Sequence, residues 1–174
     1  IVPLFFIGQY LQDHRVVRVS ISGLSPREHY RFGKCIKAAA ERLSRRTVIV
    51  ASGDLSHRLI EEGPYSFAEE GPAFDKLVTE AMAAGDFLTF MQFEEGFAEA
   101  AGECGLRSFI IMAGTLDGMS VDSELLSYEG PFGVGYAVAA FYPKEREDAR
   151  RIDVLDEEEG KIERDQIRAE EDEY

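Results

Sequence analysis

The stretch Val48-Ile49-Val50-Ala51-Ser52-Gly53-Asp54-Leu55-Ser56-His57 changes abruptly from apolar residues to small and polar ones and ends in a histidine. A run rich in Val and Ile fits the interior of a parallel sheet, and open sheets of this kind bind ligands beyond the carboxyl ends of their strands. The sequence therefore predicts a strand over Thr47–Ala51 that delivers a functional site. The alternative is an ordinary polar loop whose histidine only packs or caps.

The residues before this strand predict a strand and a helix. Val16–Ser22 alternates apolar and polar residues, the period of a strand. Ser25, Pro26 and Glu28 form the N-terminal signature of a helix that begins at Pro26 and ends near Arg45. Strand, helix and strand in this order imply a right-handed crossover and a parallel sheet. We therefore predict an α/β fold with a mainly parallel central sheet flanked by helices.

The second half of the chain predicts further helices and a pair of strands. An amphipathic pattern ends at Gly85, and Leu106–Leu116 is apolar nearly all round, as in a buried helix. Val121–Glu129 and Gly133–Tyr142, joined by Gly130-Pro131, are predicted to be paired strands added to the sheet.

Composition restricts the classes of function. The chain has 174 residues, 45% of them hydrophobic, and a formal net charge of -14. That charge argues against nucleic acid and against an anionic membrane surface as partners. Half of it lies in residues 144–174, so we predict a main domain over residues 1–143 and an acidic helical or linker tail over 144–174. Two cysteines outside any C-x-x-C pair and no membrane-length apolar run favour a cytoplasmic setting.

Most of the isolated histidines and cysteines are predicted to have structural roles. Cys35 lies on the apolar stripe of the helix that begins at Pro26, which predicts a core position. His14 and His29 have polar neighbours and are predicted to lie on the solvated surface.

His57 is the strongest candidate for chemistry because the predicted strand would place it at the edge of the sheet. An imidazole accepts or donates a proton near neutral pH, and Asp54 could orient it. A hydrolase built from Ser52, Asp54 and His57 is a weaker hypothesis, since the G-x-S-x-G pattern is absent.

A second candidate is Gly102-Glu103-Cys104-Gly105, just before the predicted buried helix. Unpaired N–H groups at a helix start favour the charged form of a carboxylate or thiolate, which is the form that binds metal. The alternative is that Glu103 only caps the helix and that Cys104 is buried.

Four segments together resemble the class III extradiol ring-cleavage dioxygenases of the LigB type, in particular the branch found in the AmmeMemoRadiSam system and related to Memo. The resemblance spans most of residues 1–142 and rests on the motifs ASGDLSH (51–57), GPY (63–65), AGECG (101–105) and GPFGVGY (130–136).

The resemblance implies an Fe(II) site of two histidines and a carboxylate, with Zn or Mn as alternatives, that binds a catechol-type substrate and O₂. By the same resemblance His57 is the acid/base histidine, and Glu103 matches the metal-binding carboxylate. In Memo-like proteins a cysteine occupies a comparable place, so Cys104 is the rival ligand.

The family's two histidine ligands have no counterpart in this sequence. By the resemblance, the chain is expected to correspond to the C-terminal portion of a LigB domain. Its expected partners are the N-terminal half of the same domain, an AMMECR-type domain downstream and further copies of itself. A Memo-like protein that binds a metal or partner without dioxygenase activity is the alternative function.

Overall fold

The computed structural model describes residues 2–11, 13–63 and 65–152. Near the end of this range, residues Asp148–Arg150 form a 3-10 turn. The helices are α1 (Val2–Tyr10), α2 (Pro26–Arg42), α3 (Glu70–Ala84), α4 (Thr89–Gln92), α5 (Glu95–Ala101) and α6 (Leu106–Thr115), and the strands are β1 (Met119–Glu129) and β2 (Tyr136–Arg146). The chain therefore combines helices and strands, as predicted.

The two strands near the C-terminus form an antiparallel pair, which confirms their predicted pairing. The register runs from Glu129 opposite Tyr136 to Met119 opposite Arg146, with two shifts along the way. The strand β2 continues past residue 143, so the first residues of the predicted acidic tail belong to the sheet. The tail from residue 153 onward lies outside the described residues.

The predicted mainly parallel sheet is not found in the described part of the chain. The segments 16–22 and 47–51 lie outside any helix or strand, and the sheet there consists of β1 and β2. A strand exists only where its N–H and C=O groups pair with a neighbouring strand, and these two segments have no such neighbour among the described residues. Val17 and Val48 are accordingly more than 80% exposed, at 87% and 84%.

Helix α2 begins as predicted. The Ser25 side chain accepts a hydrogen bond from the Glu28 N–H at 3.3 Å, and the Glu28 carboxylate accepts one from the Ser25 N–H at 2.9 Å. These reciprocal bonds satisfy two N–H groups that a helix start leaves without partners. The helix ends at Arg42, three residues before the predicted end.

Helix α2 packs on α6 through glycine. A Cβ at Gly33 would lie 2.0 Å from the Ile111 carbonyl oxygen, and a Cβ at Gly114 would lie 2.1 Å from the Tyr30 carbonyl oxygen. Only glycine permits the two backbones to approach this closely.

This packing overturns two predictions about α2. Cys35 is exposed rather than in the core, and Phe32 on the same stripe is 44% exposed. His29 is only 4% exposed rather than solvated, with its Nε2 3.2 Å from the Ser22 nitrogen and its Nδ1 3.0 Å from the Ser25 carbonyl oxygen. The reason is that the glycine face, not the apolar stripe, lies against α6. His14 is exposed, as predicted.

The core lies between α3, α6 and the sheet. Phe74 and Val78 of α3 and Ile110 of α6 are completely buried, which confirms the predicted burial of α6. The ring centroids of Phe90 and Phe109 lie 6.1 Å apart within this core. Burial of such side chains contributes about 1.5–3 kcal/mol each.

The first 50 residues leave most of their large apolar side chains in water. We call those that are more than a third exposed the N-terminal apolar set: Val2, Leu4, Phe5, Phe6, Tyr10, Leu11, Val16, Val17, Val19, Ile21, Leu24, Phe32, Leu43, Val48 and Val50. Helix α1 has no buried residue at all. Extensive exposed apolar surface marks a site of association. No described helix is both long enough and apolar enough to cross a membrane.

We expect the 174-residue chain by itself to self-associate through the N-terminal apolar set. Replacing Val17 and Val48 together by lysine should shift the sedimentation profile toward monomer, because burial of an unpaired charge is costly. Leu126, which is 55% exposed on β1, supplies the control: Leu126→Lys should leave association unchanged. A wild-type chain that sediments as a stable monomer would contradict the expectation.

Candidate functional site

The segment Asp54–Leu59, here called the site loop, is held in place by backbone hydrogen bonds to residues 133–135. The Leu55 N–H donates to the Gly135 carbonyl at 2.9 Å, and the Gly135 N–H donates to the Ser56 carbonyl at 2.8 Å. The Leu59 N–H donates to the Gly133 carbonyl at 3.1 Å. The site loop is therefore fixed by the segment that joins β1 to β2.

Ser56 fastens the same loop to the end of α5. It is completely buried, and its hydroxyl donates to the Ala101 carbonyl at 2.7 Å while accepting from the Arg58 N–H at 2.9 Å. The Arg58 guanidinium donates to the Ala100 carbonyl at 3.2 Å. A buried hydroxyl satisfied in this way stabilises a loop conformation.

The loop before α6 meets the start of the site loop at two glycines, Gly105 and Gly53, of which Gly53 directly precedes the site loop. A Cβ at Gly53 would lie 2.3 Å from the Gly105 Cα, and a Cβ at Gly105 would lie 2.8 Å from the Asp54 carbonyl oxygen. The close approach lets the Asp54 N–H donate to the Cys104 sulfur at 3.2 Å. Residues 50 positions apart are thereby joined.

Asp54, His57 and Cys104 converge at this junction. Their potential ligand atoms, one from each side chain, all lie within 4.8 Å of one another. The His57 Nε2 is 3.2 Å from a carboxylate oxygen of Asp54 and 3.8 Å from the Cys104 sulfur. The His57 ring also stacks on Tyr65, with centroids 5.2 Å apart and planes inclined by 20°. We call Asp54, His57 and Cys104 the Asp-His-Cys cluster.

The other two predicted site residues have different surroundings. The Glu103 carboxylate accepts a hydrogen bond from the Leu106 N–H at 2.6 Å, so Glu103 caps the start of α6. Burial raises the pKa of Glu103, although the bond from Leu106 opposes this shift. Ser52 is exposed and makes no side-chain hydrogen bond to His57 in the described structure, so the arrangement of a serine hydrolase is not formed.

Partial burial raises the pKa of the Cys104 thiol. The hydrogen bond from the Asp54 N–H opposes this shift, whereas the negative charges of Asp54 and Glu103 add to it. A thiol in this setting stays protonated at neutral pH until a cation lowers its pKa. Metal binding at Cys104 would therefore release a proton.

Asp75 lies behind the site loop and was missed at the level of sequence. It is 1% exposed and accepts hydrogen bonds from the Ser56 N–H and the Tyr128 hydroxyl, each at 2.7 Å. Burial raises the pKa of Asp75, while these hydrogen bonds oppose the shift. The signal was present, because Asp75 lies between Phe74 and Val78 on the buried face of α3, a position where a charged residue is rare.

The sequence matches, over residues 1–139, the family model described as the catalytic LigB subunit of aromatic ring-opening dioxygenase. The chain belongs to the LigB family. It is also 43% identical over 137 residues to Protein CA_C1420 of Clostridium acetobutylicum, whose name states no activity. The match covers 79% of this chain and 29% of that relative, so this LigB chain spans less than a third of the relative's length.

The LigB family is metal-dependent, and the Asp-His-Cys cluster brings together three side chains of the kinds that bind metal ions. Carboxylate, imidazole and thiolate ligands suit a divalent transition metal. Within the described residues the cluster contains one histidine, whereas the two-histidine, one-carboxylate set implied by the resemblance has two. His29 is buried away in hydrogen bonds with residues 22 and 25, and His14 is exposed. The side chains are therefore of the types that bind a metal, but the cluster has one histidine fewer than that set.

The raised pKa of Asp75 predicts how stability depends on pH. Asp75 contributes stability below the unfolded pKa, near 3.8, and this contribution is lost as the pH rises through the higher folded pKa. Because asparagine does not titrate, Asp75→Asn should gain free energy of unfolding relative to wild type across that interval. Urea unfolding from about pH 3.5 to about pH 8 measures the difference.

The matched control for this measurement is Asp13→Asn, because Asp13 is exposed. Its free energy of unfolding should follow that of the wild type at every pH. A constant difference between wild type and Asp75→Asn would contradict the assigned shift.

Proposed function

We propose that this chain supplies part of the active site of an extradiol dioxygenase that opens a catechol-type ring with O₂. The observation that carries the proposal is the convergence of Asp54, His57 and Cys104 from segments far apart in sequence. Membership of a family described by aromatic ring opening supports the reaction class. Both atoms of O₂ enter the ring-opened product, so the reaction requires no separate reductant.

In this proposal His57 is the acid/base group and Asp54 orients it. The Nε2 of His57 faces Asp54, while its Nδ1 has no hydrogen-bond partner in the described structure. The Asp54 carboxylate holds one edge of the ring and Tyr65 stacks on its face. A ring oriented in this way can accept a catechol proton at its other nitrogen and return it to the product. Ser52, which makes no hydrogen bond to the ring, has no part in this step.

Cys104 is the stronger candidate for the metal ligand, and Glu103 is the weaker one. The sulfur of Cys104 faces His57 and Asp54, whereas the Glu103 carboxylate is occupied by the start of α6. The bound metal, Fe(II) by family resemblance or else Zn or Mn, would supply Lewis acidity and a place for O₂ to react.

We further propose that the missing ligands come from another part of the same domain, which covers the N-terminal apolar set. Such a partner would offer strands to the segments 16–22 and 47–51 and so complete the mainly parallel sheet. The exposed side chains of both segments support this assembly. The match covers 29% of the relative, so most of the relative's sequence lies outside it and could contain such a part.

The second candidate is a Memo-like protein that binds a metal or partner without ring cleavage. The cysteine in the cluster favours it, because thiolate is a soft ligand that suits Zn as well as Fe. Oxygen uptake with catechol separates the two functions. Tight metal binding without oxygen uptake would support the Memo-like function.

His57→Ala in the complete enzyme should lower turnover by about 10²–10⁴-fold, the contribution of a positioned acid/base group. Its metal content should stay at the wild-type level, because in this proposal His57 moves protons, while Cys104 and ligands from the rest of the domain hold the metal. Oxygen consumption with catechol and metal analysis make the two measurements. His14→Ala is the control and should retain turnover. Unchanged turnover in His57→Ala would remove His57 from the mechanism.

Cys104→Ser should lose bound metal, because serine is a far weaker metal ligand than thiolate. Cys35→Ser, at the other exposed cysteine, is the matched control and should keep it, as should Glu103→Gln. Metal analysis of the complete protein after dialysis measures the effect. The 174-residue chain alone should hold well under one ion, since ligands are missing. One tightly held ion per isolated chain would contradict the proposed assembly.

A further inference from the structure

Asp75 is a buried carboxylate whose partners come from three separate parts of the fold. It belongs to α3 and accepts hydrogen bonds from the Ser56 N–H of the site loop and from the Tyr128 hydroxyl of β1. Gly135 lies against it so closely that a Cβ there would be 1.9 Å from a carboxylate oxygen of Asp75. A polar group this well buried and this closely surrounded imposes a specific arrangement on its neighbours.

The bond to Ser56 acts on the peptide group next to His57. The Ser56 N–H points to Asp75, and the Ser56 carbonyl accepts a bond from the Gly135 N–H. Both polar backbone groups of Ser56 are therefore fixed, which sets the direction in which the chain continues to His57. Asp75 itself makes no hydrogen bond to the Asp-His-Cys cluster in the described structure.

We propose that Asp75, held by Tyr128, is a positioning residue that sets the placement of His57 and Asp54 relative to Cys104. It acts through the Ser56 peptide and touches no reacting atom. The role deepens the proposed function, because the site that it positions is the one proposed above. It differs from a merely structural role, in which loss of the network would lower stability and leave the cluster's geometry unchanged.

Chemical reactivity in the complete chain tests this without metal or substrate. Iodoacetamide alkylates cysteines and diethyl pyrocarbonate modifies histidines, and mass spectrometry of the peptides gives a rate for each residue. Cys35 is an internal reference for Cys104 and His14 is one for His57, because neither makes a hydrogen bond to Asp75 or to the groups that bind it in the described structure. Because both residues of each pair meet the same reagent, the two rate ratios report the local surroundings of the cluster independently of reagent concentration.

The variant is Tyr128→Phe, which removes one hydrogen bond to Asp75 and keeps the ring. Tyr142→Phe is the matched control, because Tyr142 is 58% exposed on β2 and its hydroxyl has no partner in the described structure. Asp75→Asn is the second variant and replaces one of the two accepting carboxyl oxygens by an amide group at nearly constant shape.

We expect Tyr128→Phe and Asp75→Asn to change both rate ratios by about threefold or more, the effect of losing one ordinary hydrogen bond. Tyr142→Phe should leave both ratios at wild-type values. Folded Tyr128→Phe and Asp75→Asn variants with wild-type ratios would overturn the positioning role, even if both were less stable. If the ratios change as expected but the complete protein binds no metal and consumes no oxygen, the proposed function fails and the positioning role stands.

Discussion

The site loop depends on backbone hydrogen bonds to residues 133–135, and the rest of the candidate site depends on the site loop. Because the bonds on Leu55, Ser56 and Leu59 are made by main-chain groups, they hold the path of the loop without using the side chains of Asp54 and His57. The side chains of Asp54 and His57 are therefore available to take part in a reaction. Asp54 and His57 belong to a segment in which most backbone N–H and C=O groups already have hydrogen-bond partners in neighbouring segments.

Several elements follow from local patterns and were predicted. The capping box at Ser25 and Glu28 works within four residues, so the start of α2 can be read from the sequence. The same holds for the burial of α6 and for the pairing of β1 with β2, since each depends on periodicity within one segment or two adjacent ones. The prediction of a site at Asp54 and His57 likewise rested on a local change from apolar to polar residues.

Other features depend on contacts between distant segments and could not be predicted. Whether Glu103 or Cys104 faces His57 depends on which way one loop turns, and two adjacent residues look equivalent in sequence. The exposure of Cys35 depends on α6, which begins about 70 residues later. The predicted parallel sheet would require partner strands that the described residues do not contain. Local pattern identifies a strand-forming segment but does not supply its neighbour.

The contact between Gly33 and Gly114 also limits how α2 can present its exposed side chains. Close backbone contact leaves a helix little freedom to rotate about its axis, because any rotation would bring a bulkier residue into the contact. The orientation of the outer side of α2 is thus determined by glycines on its inner side. Phe32, on the flank of the helix beside Gly33 and 44% exposed, is therefore held at one angle about the helix axis and cannot turn toward the core.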